Sequence, residues 1–136
     1  MKRGKRVKPV FPIEYRLLIH NLYDESKKQK TTSFKLRTTN EFSNFSYEIV
    51  VDAELLERTI SFNIKGIRAP KLSIPSSGPA FFNIKYPNLK GRYKLIISKP
   101  QKSSNEFIIN IAKKKIIIEK LPEEKFIDIT TSEDEF

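Results

Sequence analysis

The sequence of 136 residues contains no cysteine. This absence excludes disulfide bonds, thiolate metal sites and thiol catalysis, and it fits a reducing compartment. A chain of this length is the size of one domain and can bury roughly two-thirds of its unfolded surface. We therefore expect a single domain that an apolar core stabilises without covalent cross-links.

Long apolar runs are also lacking. No stretch approaches the roughly 20 consecutive apolar residues that a membrane-spanning helix needs. The basic start of the chain is followed by Pro9, Pro12, Glu14 and Arg16, which interrupt any apolar segment of the kind found in signal peptides. The expectation is a soluble, cytoplasmic protein without a membrane span.

Residue types that carry catalysis or bind metals are scarce. The one histidine, His20, alternates with Leu18 and Leu22, and no G-x-S-x-G motif accompanies it. This pattern is typical of a half-buried polar position in a strand rather than of a catalytic base. One histidine and scattered carboxylates do not make a tetrahedral metal site. We expect no enzymatic activity, no cofactor, no metal and no small-molecule substrate.

Acidic residues are nearly missing from one part of the chain. Residues 61–118 hold 12 Lys or Arg and one acid, Glu106, within a formal net charge of +10 for the whole chain. Residues 1–8 add five positive charges, whereas the segment from Glu119 onward is acidic by five. Such a distribution favours a polyanionic or acidic partner. The alternative is that the lysines only keep an exposed sheet in solution.

What the sequence does contain is a two-residue alternation of apolar and polar positions, which is typical of half-buried β-strands. Turn-like clusters such as "YPNLKG" and "SKPQKSSN" separate the alternating segments. The nearest helical candidate, "DAELLERT", is too short to be stable alone and could equally be a connection or one turn at a sheet edge. The apolar positions predict about eight strands: Ile13, Tyr15, Leu17 and Ile19; Phe34 and Leu36; Phe45, Tyr47, Ile49 and Val51; Ile60, Phe62 and Ile64; Ala80, Phe82, Ile84 and Tyr86; Tyr93, Leu95 and Ile97; Phe107, Ile109 and Ile111; Ile116 and Ile118.

One segment, "LKGRYKL" at residues 89–95, carries a resemblance to a known family. It resembles the D-x-G-x-Y-x-C segment that enters strand F of immunoglobulin-like domains, where the tyrosine hydroxyl ties the strand to the preceding corner. Leu89 and Leu95 replace the acid and the cysteine, so the salt bridge and the disulfide do not carry over. The resemblance implies an all-β fold, a single antiparallel β-sandwich of about eight short strands. The alternation alone does not separate a sandwich from a barrel.

Three regions follow from composition. Residues 1–12 are predicted to be a flexible basic arm, residues 13–121 the β-domain, and residues 122–136 an acidic C-terminal tail. The tail combines alternating apolar residues with acids. It could add a strand to a partner or to a second copy of the chain, or it could be solvated.

The same alternation predicts which aromatic side chains of the basic half face the core and which face water. If Tyr93 and Leu95 point into the core, Arg92 and Lys94 point to water. Tyr86 also falls on a predicted buried face, which leaves Phe81 as the aromatic ring expected to be exposed.

These observations favour a non-catalytic interaction or assembly module, a small structural subunit that docks onto an acidic protein surface or a larger complex. A protein partner or a homo-oligomer is expected. The alternative is an RNA- or DNA-associated protein that uses the same charges for phosphate contacts, with aromatic rings for base stacking. The candidate contact residues are five cations of the arm and four of the sheet: Lys2, Arg3, Lys5, Arg6, Lys8, Lys65, Lys85, Arg92 and Lys94.

Overall fold

A computed structural model describes residues 13–43, 47–69, 77–100 and 103–136. It confirms the all-β prediction, and none of these residues lies in an α-helix. Nor do they include a helix with the length and apolar character needed to cross a bilayer. The strands are β1 (Tyr15–Asp24), β2 (Gln29–Thr38), β3 (Glu48–Leu56), β4 (Thr59–Arg68), β5 (Phe81–Pro87), β6 (Gly91–Ser98), β7 (Ser104–Ile111), β8 (Ile116–Lys120) and β9 (Ile127–Thr130).

The nine strands form one mixed sheet in the order β8-β7-β6-β4-β3-β5-β2-β1-β9. The sheet curls into a half-barrel, which corrects the prediction of an antiparallel sandwich of about eight strands. Three neighbouring pairs are parallel: β1 with β9, β3 with β5, and β4 with β6. Alternation tells which side of a strand is buried but not which strand lies beside it, and so the sequence could not reveal these pairings.

The pairing within the sheet is least extensive where β3 meets β5. These two strands share only one pair of facing residues, Glu48 and Phe81. On the concave side the Phe62 ring of β4 lies 5.5 Å from Phe34 of β2 and 5.9 Å from Phe82 of β5, in edge-to-face geometry. The two halves of the sheet therefore close on each other through aromatic contacts, which stabilise beyond the area they bury.

The alternation seen in the sequence corresponds to this concave core. Its fully buried residues include Leu17, Ile60 and Phe107 from strands in both halves of the sheet. On β6, Tyr93 and Leu95 are buried. The cations that alternate with them on the same strand, Arg92 and Lys94, are exposed, as predicted.

The corner that precedes β6 has the contact that the resemblance implied. The Tyr93 hydroxyl accepts a hydrogen bond from the backbone N–H of Lys90, at 3.3 Å. The guanidinium of Arg58 lies 4.6 Å from the centre of the Tyr93 ring. Gly91 has φ +90°, a conformation that L side chains rarely adopt, and this bends the chain into β6. Leu89 is 5% exposed and belongs to the core at this end of the sheet.

The other local predictions have mixed outcomes. The segment "DAELLERT" forms neither a helix nor a wide connection, because it is the end of β3 and a two-residue turn, Glu57–Arg58, leading into β4. The segment predicted as an acidic tail contains β9, which pairs in parallel with β1 of the same chain. Ile127 of β9 is fully buried, and burial of such an apolar side chain explains why this part of the segment is held against the sheet. The predicted arm, residues 1–12, lies outside the described residues.

Candidate binding surface at the turn end of the sheet

Four short connections lie at the same end of the sheet, which we call the turn end. Odd-numbered strands run towards this end and even-numbered strands run away from it, as the pairings of β1 with β2, β3 with β4, β6 with β7 and β7 with β8 require. The parallel pairs fit the same rule because each joins two odd or two even strands. The four connections are residues 25–28, 57–58, 88–90 and 112–115.

Hydrogen bonds join these connections into one surface. The Lys30 ammonium, beside the first connection, donates to the Ala112 carbonyl at 3.2 Å in the last connection. The Asn88 N–H donates to the Lys30 carbonyl at 3.0 Å. The Arg58 guanidinium donates to the Lys90 carbonyl at 2.6 Å. Each connection is thus held against another, and the side chains that they carry occupy neighbouring positions.

The turn end is strongly basic. Its connections hold only two acids, Glu25 and Glu57, against a larger group of cations. Within the described ranges, none of the charged side-chain nitrogens of that group has a carboxylate oxygen within 4.0 Å, although the backbone N–H of Lys27 donates to the Asp24 carboxylate at 3.3 Å. A cluster of one charge sign raises the local concentration of oppositely charged ligands. The cations are all exposed and number seven: Lys27, Lys28, Arg58, Lys90, Lys113, Lys114 and Lys115.

The cations predicted on the sheet face are placed differently. Three of the four form ion pairs with carboxylates on neighbouring strands: Lys65 with Asp52 at 3.6 Å, Lys94 with Glu106 at 3.9 Å, and Arg92 with Glu119. Because Lys94 faces Thr59 across β4 and β6, it is six residues from Lys65 along the sheet. That spacing corresponds to roughly 20 Å at about 3.3 Å per residue. The structure therefore places Lys65 far from Lys94, whereas Arg92 and Lys94 are neighbours on the exposed face of β6.

Lys85, the fourth predicted cation, is exposed on β5 in the other half of the sheet. It lies on the convex face, because its partner across β5 and β2 is Ser33 rather than a core residue. The arm cations Lys2, Arg3, Lys5, Arg6 and Lys8 lie outside the described residues. Their roles, and those of the sheet cations, stay predictions.

The exposed apolar side chains near the turn end were not predicted. Tyr23, at the end of β1, is 62% exposed, and Leu56, at the end of β3, is 65% exposed. Phe81 is 44% exposed, as predicted, but lies at the start of β5 and so at the opposite end of the sheet. Tyr86 is half-buried, with its ring 5.8 Å from Phe34. The turn end thus combines cations with exposed aromatic and aliphatic side chains.

His20 is half-buried on the convex face, where it faces Ser33 across β1 and β2. Burial lowers the pKa of His20, and the positive charges of Lys35 and Lys85 act in the same direction, whereas Glu133 opposes them. The described residues contain no group of three or more His, Asp or Glu side chains placed to hold a metal ion. This position is that of a neutral polar side chain in a sheet.

The lowered pKa of His20 gives a pH dependence. The unfolded chain takes up the histidine proton at a pKa of about 6.5, and the folded chain takes it up only at lower pH. The free energy of unfolding should therefore fall as the pH drops from about 7.5 to about 5.5. Urea unfolding at several pH values should show a smaller fall for His20→Gln. Parallel curves for the two proteins would contradict the assignment.

Comparison with known proteins adds no relative. No family model, curated protein or solved structure matches this chain. The function is therefore inferred from the arrangement of the sheet and of its turn end.

Proposed function

We propose that this protein is a non-catalytic interaction module that docks through its turn end onto an acidic surface of a partner protein. The observation that carries the proposal is the meeting of four connections with seven exposed cations, none of them ion-paired within the described part of the chain. The arm cations of residues 1–12 would extend the same positive surface.

The distribution of ion pairs supports the turn end over the sheet face. On the face, a partner carboxylate would have to displace Asp52, Glu106 or Glu119 from its cation. An exposed ion pair contributes about 0–1 kcal/mol, so exchanging one carboxylate for another gains little. At the turn end no carboxylate of the described residues has to be displaced, although the Arg58 guanidinium already contacts the Lys90 carbonyl and the Tyr93 ring. Complementary charge there would speed association and select an acidic partner.

Exposed Leu56 beside this charge favours a protein partner. An aliphatic side chain gains from burial against another apolar surface, as at the centre of a protein interface. Tyr23 supports the second candidate, a single-stranded nucleic acid, because an exposed ring next to cations can stack on a base. A protein and a single-stranded nucleic acid would both bind the cations of the turn end. They differ in the second contact, which is Leu56 for the protein and Tyr23 for the nucleic acid.

The proposed surface is tested with two charge-matched variants. One replaces Lys113, Lys114 and Lys115 by glutamine at the turn end, and the other replaces Lys65, Lys85 and Lys94 on the sheet. Binding of labelled polyglutamate is followed by fluorescence anisotropy. We expect the turn-end variant to bind about tenfold more weakly, since three exposed charge contacts of about 0.5 kcal/mol each correspond to that factor. The sheet variant should lose much less. Equal losses would mean that net charge alone acts, and a larger loss in the sheet variant would move the site to the sheet.

The partner class is tested with Tyr23→Ala and Leu56→Ala. A single-stranded oligonucleotide that stacks on Tyr23 should bind roughly tenfold or more weakly to Tyr23→Ala, because one base stack is worth about 1–3 kcal/mol. For a protein partner, the protein recovered with the chain in a native pull-down should survive nuclease treatment and be reduced by Leu56→Ala. Loss of that protein after nuclease treatment would favour the nucleic acid.

A further inference from the structure

Two arginines face each other on the convex side of the sheet. Arg16 of β1 lies directly opposite Arg37 of β2. Like charges in this position destabilise a pair of strands. Both arginines are half-buried. Burial lowers the pKa of Arg37 and the nearby charge of Arg16 lowers it further, whereas Glu41 acts in the opposite direction. Such a pair needs acceptors that compensate the two charges.

The acceptors come from the end of the described chain. The Arg37 guanidinium donates to the Phe136 carbonyl oxygen through Nε at 2.8 Å and also through Nη2. The same guanidinium lies 5.1 Å from the centre of the Phe136 ring. Arg16 donates to the Glu135 carbonyl oxygen at 3.5 Å. Residues 133–136 thus lie across the arginine pair, bound by main-chain acceptors and one aromatic ring.

Among the described residues, no ion pair joins the acids of this segment to the two arginines. Glu133, Asp134 and Glu135 form a short 3-10 helix and are all exposed. The one described hydrogen bond of their carboxylates comes from the Thr130 hydroxyl to Glu135, at 3.1 Å. The charge of Glu133 nevertheless acts on His20, which lies on the same convex face. The segment is therefore held by few direct contacts and by long-range attraction to a basic face that also carries Lys35 and Lys85.

We infer that the convex surface formed by Arg16 and Arg37 is a binding site for a short acidic peptide with an aromatic residue, and that residues 133–136 occupy it as a displaceable ligand within the same chain. The occupant would be a protein segment with the chemistry of "EDEF". Arg37 binds its main chain and its ring, and Lys35 and Lys85 on the same face attract its acids at longer range. The site is on the convex face and is independent of the turn end.

The covalent link between residues 133–136 and β9 determines how easily a free peptide displaces this segment. A segment joined to the sheet by a short linker has an effective concentration in the millimolar range, so a free peptide competes poorly while the segment is intact. A substitution that weakens the binding of residues 133–136 but leaves Arg16 and Arg37 unchanged should therefore expose the site. Phe136→Ala does this, because it removes the ring that lies on Arg37.

The test uses the full chain and a labelled peptide of sequence TTSEDEF, with binding followed by fluorescence anisotropy. We expect Phe136→Ala to bind the peptide about fivefold more tightly than the unmodified chain, since the competing segment loses one cation–π contact worth up to about 1 kcal/mol. Adding Arg37→Gln to Phe136→Ala should remove this binding, whereas adding Arg92→Gln, a change to an exposed arginine in the other half of the sheet, should not.

Peptide variants make the test independent of whether the Arg37→Gln protein folds. On the Phe136→Ala chain, TTSEDEA should bind at least about fivefold more weakly than TTSEDEF, because it lacks the ring that stacks on the guanidinium. TTSQNQF should also bind more weakly, because it lacks the acids. Equal binding of all three peptides, or equal binding of TTSEDEF to the unmodified chain and to Phe136→Ala, would overturn the inference.

Discussion

Replacing Phe62 by alanine should lower the free energy of unfolding by about 3–5 kcal/mol, the usual range for removing a buried phenylalanine side chain. Phe62 is 1% exposed on β4, and its ring contacts Phe34 and Phe82. Those two rings belong to the opposite half of the curled sheet. The cavity would thus open where the halves meet, at a position that the single residue pair between β3 and β5 does little to reinforce.

Urea unfolding measures this loss, and two variants serve as controls. Leu56→Ala removes an aliphatic side chain that is 65% exposed, and should change the free energy of unfolding by less than about 0.5 kcal/mol. Phe62→Leu keeps an apolar side chain but loses both edge-to-face contacts, and should fall between the two because each aromatic pair contributes about 0.5–1.5 kcal/mol. A loss below about 1 kcal/mol in Phe62→Ala would mean that this ring does not join the halves.

Asn105→Ala should have the second large effect, a loss of about 2–5 kcal/mol in the free energy of unfolding. Asn105 is 3% exposed on β7, and its side-chain oxygen accepts from the Phe126 N–H at 2.9 Å. Its side-chain nitrogen donates to the Glu124 carbonyl at 3.0 Å. Removing the amide leaves two backbone groups without these partners near the core, at about 1–3 kcal/mol each if they stay unsatisfied.

The effect should be localised to β9, because Asn105 holds the segment that leads into that strand. The Phe126 carbonyl in turn accepts from the N–H groups of Glu14 and Tyr15 at 2.8 and 3.2 Å, at the start of β1. Hydrogen exchange should therefore show lost protection at the β1–β9 pairing. Asn110→Ala is the matched control, since this asparagine is on the same strand but donates to Glu119 in an exposed hydrogen bond. Equal losses in the two variants would show that Asn105 does not anchor β9.

The sequence predicted the strands more successfully than their arrangement. The alternation around Phe62, Leu95 and Ile109 correctly separated buried from exposed positions, because a strand places successive side chains on opposite faces. The exception was β9, whose four residues lie within a segment dominated by acids. Its short apolar pattern fitted a tail equally well until the pairing with β1 was known.

The candidate surface was only partly accessible to sequence reasoning. Lys90 and Lys113 lie within the basic stretch of residues 61–118 that the sequence showed. The contact residues predicted on the sheet, however, included Lys65 and Lys94, which are ion-paired. A usable signal was present: connections alternate between the two ends when successive strands alternate in direction. Under that rule the first, third, fifth and seventh connections share one end, and these four connections carry the seven exposed cations of the turn end.

By itself, the sequence determined that the protein is an all-β chain with an apolar core and an excess of basic residues, because side-chain alternation and composition are properties of local residue order. Only the tertiary structure decided that the sheet is mixed, that residues 127–130 join it, and that, among the described residues, the turn-end cations are not ion-paired while three of the four predicted sheet cations are. Strand neighbours and ion pairs join residues that are distant in the chain. Their identity depends on how the sheet curls, which no local pattern specifies.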